Sequence, residues 1–214
     1  MVDQKQLSQI VRTAVMNSLR VYGGKYYVPA ASSNKHIHLS RAGVDKLFGP
    51  GYQLTPMRPL SQPGQFACEE TLTFVGSKGE LKKMRVLGPE RKETQVELAV
   101  TDCFKAGVKV VIRMSGDLEG TPGGKLIGPA GEVEIDHGVI VAQRHLHLST
   151  AQAAEYKLHN GDIISLSTGG DRPVIFQNVI VRAGQGHEME VHIDTDEANA
   201  ANLKNGALLE IIRD

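Results

Sequence analysis

Two short histidine motifs have the residue types and spacing best suited to chemistry. His36 and His38 belong to the sequence Lys-His-Ile-His-Leu-Ser, and His145 and His147 belong to Arg-His-Leu-His-Leu-Ser, 109 positions later. In an extended strand the side chains at i and i+2 point to the same side. Each pair of imidazoles is therefore expected to converge, as two ligands of a first-row metal such as zinc would. The alternative is that each pair is polar strand surface or a hydrogen-bonded feature of the core.

The elements that must position these histidines are themselves repeated. Each motif is predicted to be a strand that leads into a helix capped by its final serine, Ser40 in the first copy and Ser149 in the second. The first helix is predicted over Arg41–Phe48, and the second runs to about His159, where an Asn-Gly pair ends it. A turn and another strand follow in both copies. Two such units predict a pseudo-symmetric, two-lobed architecture.

Most of the remaining chain is predicted to form short strands punctuated by glycine and proline. This pattern favours barrels or sandwiches over a doubly wound sheet. The segment 115–138 contains seven glycines and two prolines, and it is predicted to be a turn-rich connection between the lobes. The predicted strands beyond the histidine motifs are Lys25–Ala30, Tyr52–Thr55, Glu70–Val75, Leu81–Leu87, Gln95–Val100, Gly107–Met114, Glu132–Ile135, Val139–Ala142, Asp162–Ser167, Val174–Arg182, Met189–Ile193 and Ala207–Ile212.

Residues 4–19 have the pattern of an amphipathic helix. Asp3 is a plausible N-cap, and a Gly-Gly pair at positions 23 and 24 ends the segment. The helix either packs its apolar stripe on the body of the protein or serves as a detachable docking helix for a partner. The apolar positions of the stripe are Leu7, Ile10, Val11, Ala14, Val15 and Leu19.

Composition argues against several classes of function. The 24 basic and 24 acidic residues cancel, so no net field favours nucleic acid or an anionic membrane. No segment approaches the roughly 20 apolar residues that span a bilayer, and the N-terminus has no apolar signal-peptide core. Cys68 and Cys103 lack the spacing of a zinc knuckle or a disulfide framework, so each is interpreted as a small buried residue, with a nucleophile as the alternative. A cytosolic protein is expected.

Three further stretches contain the residue types of a functional site. Arg85–Glu97 places two arginines on one loop and a carboxylate on the strand that follows. Glu190–Asp194 alternates His192 with aliphatic residues, and positions 194–201 form a turn and a helix start that offer donors to an anion. Each stretch alone is more typical of ordinary surface or of a structural role than of a functional site.

Taken together, these stretches resemble the PduL-type phosphotransacylases, the phosphate propanoyltransferases of bacterial propanediol and related pathways. The resemblance runs from about Ser33 to Ala201 in the order and spacing of that family. It implies an enzyme that interconverts an acyl-CoA and inorganic phosphate with an acyl phosphate and coenzyme A, using two zinc ions. The stretches that carry it are Ser33–Ser40, Arg85–Glu97, Arg113–Gly116, Gly138–Ser149 and Glu190–Ala201.

The resemblance also assigns roles to individual residues. The implied metal ligands are His36, His38, Glu97, His145, His147 and His192. The arginine that holds phosphate matches Arg91, which is the implied catalytic residue. The positions similar to the coenzyme A contacts are Ser33, Arg58, Arg85, Leu87 and Asn199.

The implied fold is mainly β, with two interleaved, pseudo-symmetric β-barrels capped by short α-helices, in addition to the N-terminal amphipathic helix. This fold divides the chain into the helix and linker at 1–24, a first barrel from 25–34 plus 143–214, and a second barrel from 35–142. The N-terminal helix over residues 3–20 resembles the tags that direct members of the family into bacterial microcompartments. A cytoplasmic homodimer is expected, with the microcompartment lumen as its location if the helix is such a tag.

The implied ligand set makes physical sense by itself. Five imidazoles and one carboxylate give about three ligands per metal, which leaves an open position for substrate. Two dications and Arg91 suit phosphate and a thioester that becomes an oxyanion, so the hypothesis is direct attack of metal- and arginine-bound phosphate on the thioester. Glu190, Asp194 and Asp196 share a face with His192, and one of them could join or replace a ligand.

Two other functions fit parts of the pattern. A di-zinc hydrolase would cleave a thioester or a phosphoester with metal-bound hydroxide. A non-catalytic metal-binding module or microcompartment component would need only the ligands. The proposed anion contacts at Arg91, Arg85 and Asn199 favour transfer to phosphate over hydrolysis, and three-ligand sites argue against a module that only stores metal.

Overall fold

A computed structural model describes residues 21–212 of the chain. The predicted helix over residues 4–19, with its two alternative roles, therefore lies outside the described residues. Between residues 21 and 212, no helix is long and apolar enough to cross a membrane.

The described residues form sixteen strands and four short helices. In chain order these are β1 (Val21–Tyr22), β2 (Lys25–Ser33), β3 (His36–His38), α1 (Arg41–Phe48), β4 (Pro56–Pro59), β5 (Phe66–Val75), β6 (Glu80–Gly88), β7 (Gln95–Glu97), α2 (Val100–Ala106), β8 (Ile112–Arg113), β9 (Gly124–Ile127), β10 (Glu132–Ile135), β11 (Val139–Ala142), β12 (His145–Leu148), α3 (Thr150–Tyr156), β13 (Ile163–Ser167), β14 (Ile175–Ala183), β15 (Glu190–Asp194), α4 (Thr195–Ala200) and β16 (Leu208–Ile212).

One of the two sheets closes into a barrel. Its strand order is β1-β2-β15-β12-β14-β13-β16, and the pairing of β2 with β16 closes six of these strands on themselves. Closure removes the unpaired edges that an open sheet would present. Leu146 and Leu148 of the second histidine motif point into the barrel core with Val181, Val191 and Leu209, and all five are fully buried. The alternate positions of β12 are left to the two histidines.

The other sheet is open and has nine strands. Eight of them follow the order β10-β9-β5-β6-β3-β7-β11-β8, and β4 pairs with β5. Ile37 and Leu39 of the first histidine motif enter its core beside Val86 and Val96. The prediction of a mainly β architecture with two barrel-like sheets and short helices is confirmed, with one closed barrel and one half-barrel.

The chain weaves the two sheets together. Strand β2 comes first in sequence but sits in the barrel, where it pairs in parallel with β15, and the chain then builds the half-barrel before it returns to the barrel at β12. The sheet to which each strand belongs does not by itself define domain boundaries. The division of the chain into 25–34 plus 143–214 and 35–142 therefore stays a prediction.

The two helices that follow the histidine motifs begin as the sequence predicts. Ser40 accepts a hydrogen bond from the backbone N–H of Gly43 at 3.1 Å, and Ser149 forms a complete capping box with Gln152. The second of these helices is shorter than predicted, because Lys157 takes the left-handed conformation with φ 51° and ends it.

Three strand predictions are corrected by the structure, and one helix was not predicted. Tyr52–Thr55 is not a strand, and only Ile112–Arg113 of the predicted strand over 107–114 is extended. The strand predicted over 95–100 ends at Glu97, and helix α2 begins at Val100. Its N-cap is Ala99, which makes no side-chain capping bond, so the sequence carries no start signal for this helix.

A buried glutamine joins the half-barrel to the barrel. Gln62 lies in the loop between β4 and β5 and is only 3% exposed. Its side-chain amide donates to the carbonyl oxygen of Glu188 at 2.9 Å and accepts from the N–H of Glu188 at 3.2 Å. The amide thus provides hydrogen-bond partners for the backbone N–H and carbonyl of Glu188, just before strand β15 of the barrel.

Replacing this glutamine tests the contact. Gln62→Ala leaves the backbone N–H and carbonyl of Glu188 without their partner, and we expect a loss of about 1–2 kcal/mol in the free energy of unfolding. Urea denaturation measures the change. Gln53→Ala is the matched control, because Gln53 is exposed and should change stability by less than about 0.5 kcal/mol. Equal effects of the two substitutions would contradict a role for Gln62 in joining the sheets.

Candidate functional site

The two histidine motifs meet a third potential ligand in the same way. Strand β3 pairs antiparallel with β7, which places His36 directly opposite Glu97. Strand β12 pairs antiparallel with β15, which places His145 directly opposite His192. Directly opposed side chains on one face of an antiparallel pair are neighbours. Each motif therefore forms a cluster whose potential ligand atoms lie within 4.8 Å of one another: the carboxylate cluster of His36, His38 and Glu97, and the three-histidine cluster of His145, His147 and His192.

The carboxylate cluster is buried and its acceptor atoms converge. Nε2 of His36 lies 3.5 Å from Oε2 of Glu97, and Nε2 of His38 lies 3.8 Å from Oε1. Nδ1 of His36 is 2.8 Å from the carbonyl oxygen of Asn34, so it is placed to donate and to leave the Nε2 lone pair for a metal. Nδ1 of His38 is buried near the carbonyl of Leu87 and has no well-formed hydrogen bond to any of residues 21–212.

The three-histidine cluster brings its rings together at similar distances. The Nε2 atoms of His145 and His147 are 3.1 Å apart, and the ring of His192 lies 5.0 Å and 4.9 Å from theirs, centroid to centroid. Nδ1 of His145 is 2.8 Å from the carbonyl oxygen of Gln143, which again directs Nε2 into the cluster.

Burial decides the charge of these rings. Burial, reinforced by the neighbouring histidines, lowers the pKa of His145 to about 4 and that of His147 to about 2. Burial also holds the pKa of His38 well below its ordinary value. For His36 and Glu97 their mutual attraction outweighs burial, which leaves the pKa of His36 raised and that of Glu97 well lowered. Neutral imidazoles and an ionised carboxylate are the forms that bind metals.

Three carboxylates were expected to share a face with His192, but only Glu190 and Asp194 lie on its strand, and Asp196 lies on helix α4. Glu190 contacts the ring of His192 directly, with 2.8 Å between its Oε2 and Nε2 of the histidine. Asp194 caps α4 by accepting from the N–H of Glu197 at 2.9 Å. Asp196 accepts from the backbone N–H of Thr101 at 2.8 Å. Of the three, Glu190 is thus the one placed to join the three-histidine cluster.

Two arginines stand beside the clusters. Arg91 was expected from the sequence, and its Nη1 donates to the hydroxyl of Ser115 at 3.0 Å. Arg182 was not expected, and it lies on β14 in register with His147 on the adjacent parallel strand. Burial lowers the pKa of both guanidinium groups, and the charge of Arg182 adds to the lowering at Arg91. Two neighbouring, partly desolvated cations form a natural site for an anion.

A polar network ties Arg91 to the carboxylate cluster. The hydroxyl of Ser115 donates to Oε1 of Glu97 at 3.1 Å, and Nε2 of Gln95 donates to the same oxygen at 2.5 Å. The backbone N–H of Gly116 donates to Oε1 of Gln95 at 2.8 Å, which fixes that amide. This network holds the carboxylate in one orientation beside the arginine.

Both clusters and both arginines line one cleft of about 800 Å³ between the sheets. Four of the five positions expected to contact coenzyme A line it too, namely Ser33, Arg58, Arg85 and Leu87. The fifth, Asn199, lies on α4 and is not part of the lining. Nη1 of Arg85 donates to the carbonyl oxygens of Cys68 and Glu69 at 2.9 Å and 2.7 Å.

The two cysteines are placed for packing. Cys68 and Cys103 are buried in the half-barrel core, and neither lines the cleft. Burial raises the pKa of each thiol to about 11. Because the thiolate is the nucleophile, a protonated thiol away from the cleft offers none.

Sequence reasoning missed four residues of the cleft region. Ser115 belongs to a stretch that carried the family resemblance but received no role, and Gln95 had only been assigned to a strand. Arg182 and His187 carried no local signal, because an arginine at the end of a strand and a histidine in a loop are common on surfaces. His187 contacts His147 with 2.9 Å between their Nδ1 atoms. Only the pairing of β12 with β14 and the fold of the following loop bring the last two to the site.

Comparison with known proteins agrees with this geometry. A sequence model described as phosphate propanoyltransferase matches residues 29–204. This chain belongs to the phosphate propanoyltransferase family. A phosphate propanoyltransferase of Thermotoga maritima is 50% identical over 84% of this chain and 86% of its own length. Those of Sebaldella termitidis, 46% identical over 99% and 100%, and of Salmonella typhimurium, 45% identical over 95% and 95%, carry the same description. The protein is therefore an acyltransferase.

The buried imidazoles predict an acid-sensitive metal-free protein. Below pH 6.5 the unfolded chain protonates its histidines, whereas His145 and His147 stay neutral when folded because their pKa values are about 4 and about 2. The unfolded state then binds more protons, so stability falls as pH falls. Between pH 7.5 and 5 we expect each ring to contribute a loss of about 2 kcal/mol. Urea denaturation of the chelator-treated protein measures it.

The double variant His145→Gln/His147→Gln is the control for this experiment. Because it lacks both rings, its stability should fall less with pH than that of the unaltered chain. Identical pH dependence in the two proteins would show that these rings are not held neutral by the fold.

Proposed function

We propose that this member of the phosphate propanoyltransferase family interconverts an acyl-CoA, propanoyl-CoA or acetyl-CoA, plus phosphate with an acyl phosphate plus coenzyme A, by direct attack of phosphate on the thioester in the cleft. The observation that carries the proposal is that two metal-ligand clusters and two arginines face one space. The two arginines give the cleft a positive electrostatic potential, which favours the binding of substrates that carry phosphate.

The donor sets suit two zinc ions. Each cluster offers three protein ligands, which leaves an open position, and five imidazoles with one carboxylate match the nitrogen-rich ligation that zinc accepts. The lowered pKa values of His38, His145 and His147 and the converging Nε2 atoms fit such ions without rearrangement of the strands. Zinc ions bound there would supply Lewis acidity to the thioester carbonyl and to phosphate.

The arginines would hold the phosphate. Arg91 is oriented by Ser115, and Arg182 approaches from the barrel side, so one anion can contact both sheets. Planar guanidinium groups bind phosphate oxygens in a fixed geometry, which reduces the entropy cost of bringing phosphate to the thioester. An oxygen of phosphate attacks the carbonyl carbon, the oxyanion forms within reach of positive charge, and the carbon–sulfur bond breaks to release coenzyme A thiolate.

Coenzyme A would lie along the cleft from the reacting carbon outward. Ser33 and Leu87 are close to the carboxylate cluster in sequence and line the cleft beside it, whereas Arg58 on β4 lies in an exposed strand at the rim. Arg58 and Arg85 are suited to the phosphates of the cofactor, and Leu87 to its apolar arm. Asn199, exposed on α4, would act beyond the cleft wall.

Hydrolysis is the alternative reaction, since water could replace phosphate as the nucleophile. The pair formed by Arg91 and Arg182 favours transfer, because a hydrolase needs no site for a second anion. Family membership leaves the non-catalytic alternatives without support.

Phosphate dependence of coenzyme A release tests the proposal. With propanoyl-CoA or acetyl-CoA, release should rise with phosphate concentration to saturation and be matched one to one by acyl phosphate. Release is followed with a thiol reagent and acyl phosphate with hydroxylamine, on protein whose metal content has been measured. Release that ignores phosphate would establish hydrolysis instead.

Replacing the arginines tests the phosphate site. We expect Arg91→Ala and Arg182→Ala each to raise the KM for phosphate or lower kcat/KM by about 10²-fold, because each removes a charged contact to the anion. Metal content should stay the same, because neither residue is a ligand. Arg172→Ala, at an exposed position, is the control. Loss of metal from the Arg91 variant would show that this residue had been misassigned.

A further inference from the structure

The two histidine motifs are alike at their first ring. Nδ1 of His36 lies 2.8 Å from the carbonyl oxygen of Asn34, and Nδ1 of His145 lies 2.8 Å from that of Gln143. In both copies the acceptor is the carbonyl two residues earlier, in the segment that leads into the histidine strand. The repeated sequence therefore orients the first ring of each pair with the same local device.

The two motifs differ at their second ring. Nδ1 of His38 is buried and makes no hydrogen bond within the part of the chain that the structure describes. Nδ1 of His147 lies 2.9 Å from Nδ1 of His187, whose ring centroid is 4.6 Å away. The outer neighbour of the second ring is thus a side chain in the three-histidine cluster and the backbone carbonyl of Leu87 in the carboxylate cluster.

The position of the proton determines which of the two imidazoles, His147 or His187, donates the hydrogen bond. One of two imidazole nitrogens at hydrogen-bond distance must carry the proton and the other must accept it. Nε2 of His147 faces Nε2 of His145 at 3.1 Å, in the space where a metal would bind. If that Nε2 is a ligand, the proton of His147 resides on Nδ1, and His187 accepts it.

The loop that carries His187 is held in place directly after this residue. His187 lies between β14 and β15, half-buried at the cleft wall. The next residue, Glu188, is bound through its backbone to the buried amide of Gln62. Met189 follows in the barrel core at 3% exposure. The acceptor is therefore presented by a fixed segment of backbone.

We propose that His187 is a positioning residue of the three-histidine cluster: it accepts the Nδ1 proton of His147, fixes the tautomer and orientation of that ring, and so controls how tightly this cluster retains its metal. The inference rests on the proposed function only in that the cluster binds a metal. Loss of such an outer partner typically weakens metal binding by about 10–100-fold.

Three substitutions separate the acceptor from the shape of the side chain. His187→Leu and His187→Ala remove the acceptor, and the smaller variant guards against poor folding of the larger one. His187→Asn retains an acceptor, since its Oδ1 occupies nearly the place of the imidazole Nδ1. His159→Leu is the matched control, because it removes a histidine whose side chain is 86% exposed.

The experiment uses the full-length protein loaded with zinc. Release into a chromophoric chelator is followed over time, and proton–nitrogen NMR records the ring N–H signals. In the Leu and Ala variants we expect one of two metals to leave about 10–100-fold faster and the His147 N–H signal to disappear into solvent exchange. The Asn variant should restore both, and the His145 N–H, bound to Gln143, should not change.

Several results would overturn the inference. If the Leu and Ala variants release zinc at the same rate as the unaltered protein, the inference is wrong. The proposed function still holds in that case if these variants catalyse acyl transfer. An Asn variant that behaves like Leu would show that the acceptor is not what matters. A wild-type protein that binds no metal would remove both the inference and the proposed function.

Discussion

The convergence of side chains across two antiparallel strand pairs is the constraint on which the site depends. A histidine motif alone offers two rings on one side of a strand. The register of β3 with β7 and of β12 with β15 adds the third group, Glu97 in one case and His192 in the other. A slip of one residue in either register would turn the partner to the opposite face. The apolar residues between the histidines prevent that slip, because they are fully buried in the two cores.

Burial gives these clusters their chemical character. Desolvation keeps His145 and His147 neutral, and the half-barrel supplies one carboxylate whose negative charge is stabilised by its neighbours. The two arginines are also partly desolvated and repel each other. Such an arrangement stores unfavourable electrostatic energy that an anion relieves. The same physics that costs the folded protein stability therefore favours the binding of phosphate.

The interleaved path of the chain makes a single cleft from two repeated units. Strand β2 joins the barrel before the half-barrel is built, so the two sheets are connected at both ends of the half-barrel segment. Gln62 adds a buried contact from the half-barrel to the barrel. The duplicated motifs remain similar in their own strands, yet they differ in what surrounds them. One copy has Glu97 with Ser115 and Gln95, and the other has His192 with Glu190 and His187.

The sequence by itself determined the features that depend on local spacing. It predicted the paired histidines, the serine-capped helices that follow them and the mainly β architecture, because strand alternation and capping are local rules. The family resemblance then proposed Glu97, His192 and Arg91 as further members of the site. Only the tertiary structure decided which of these groups meet and which unpredicted ones join them. Arg182 and His187 reach the cleft through strand pairing and a long-range loop contact, and no pattern of neighbouring residues encodes such contacts. Sheet closure was decided in the same way, because it depends on the pairing of β2 with β16, which lie at opposite ends of the described chain.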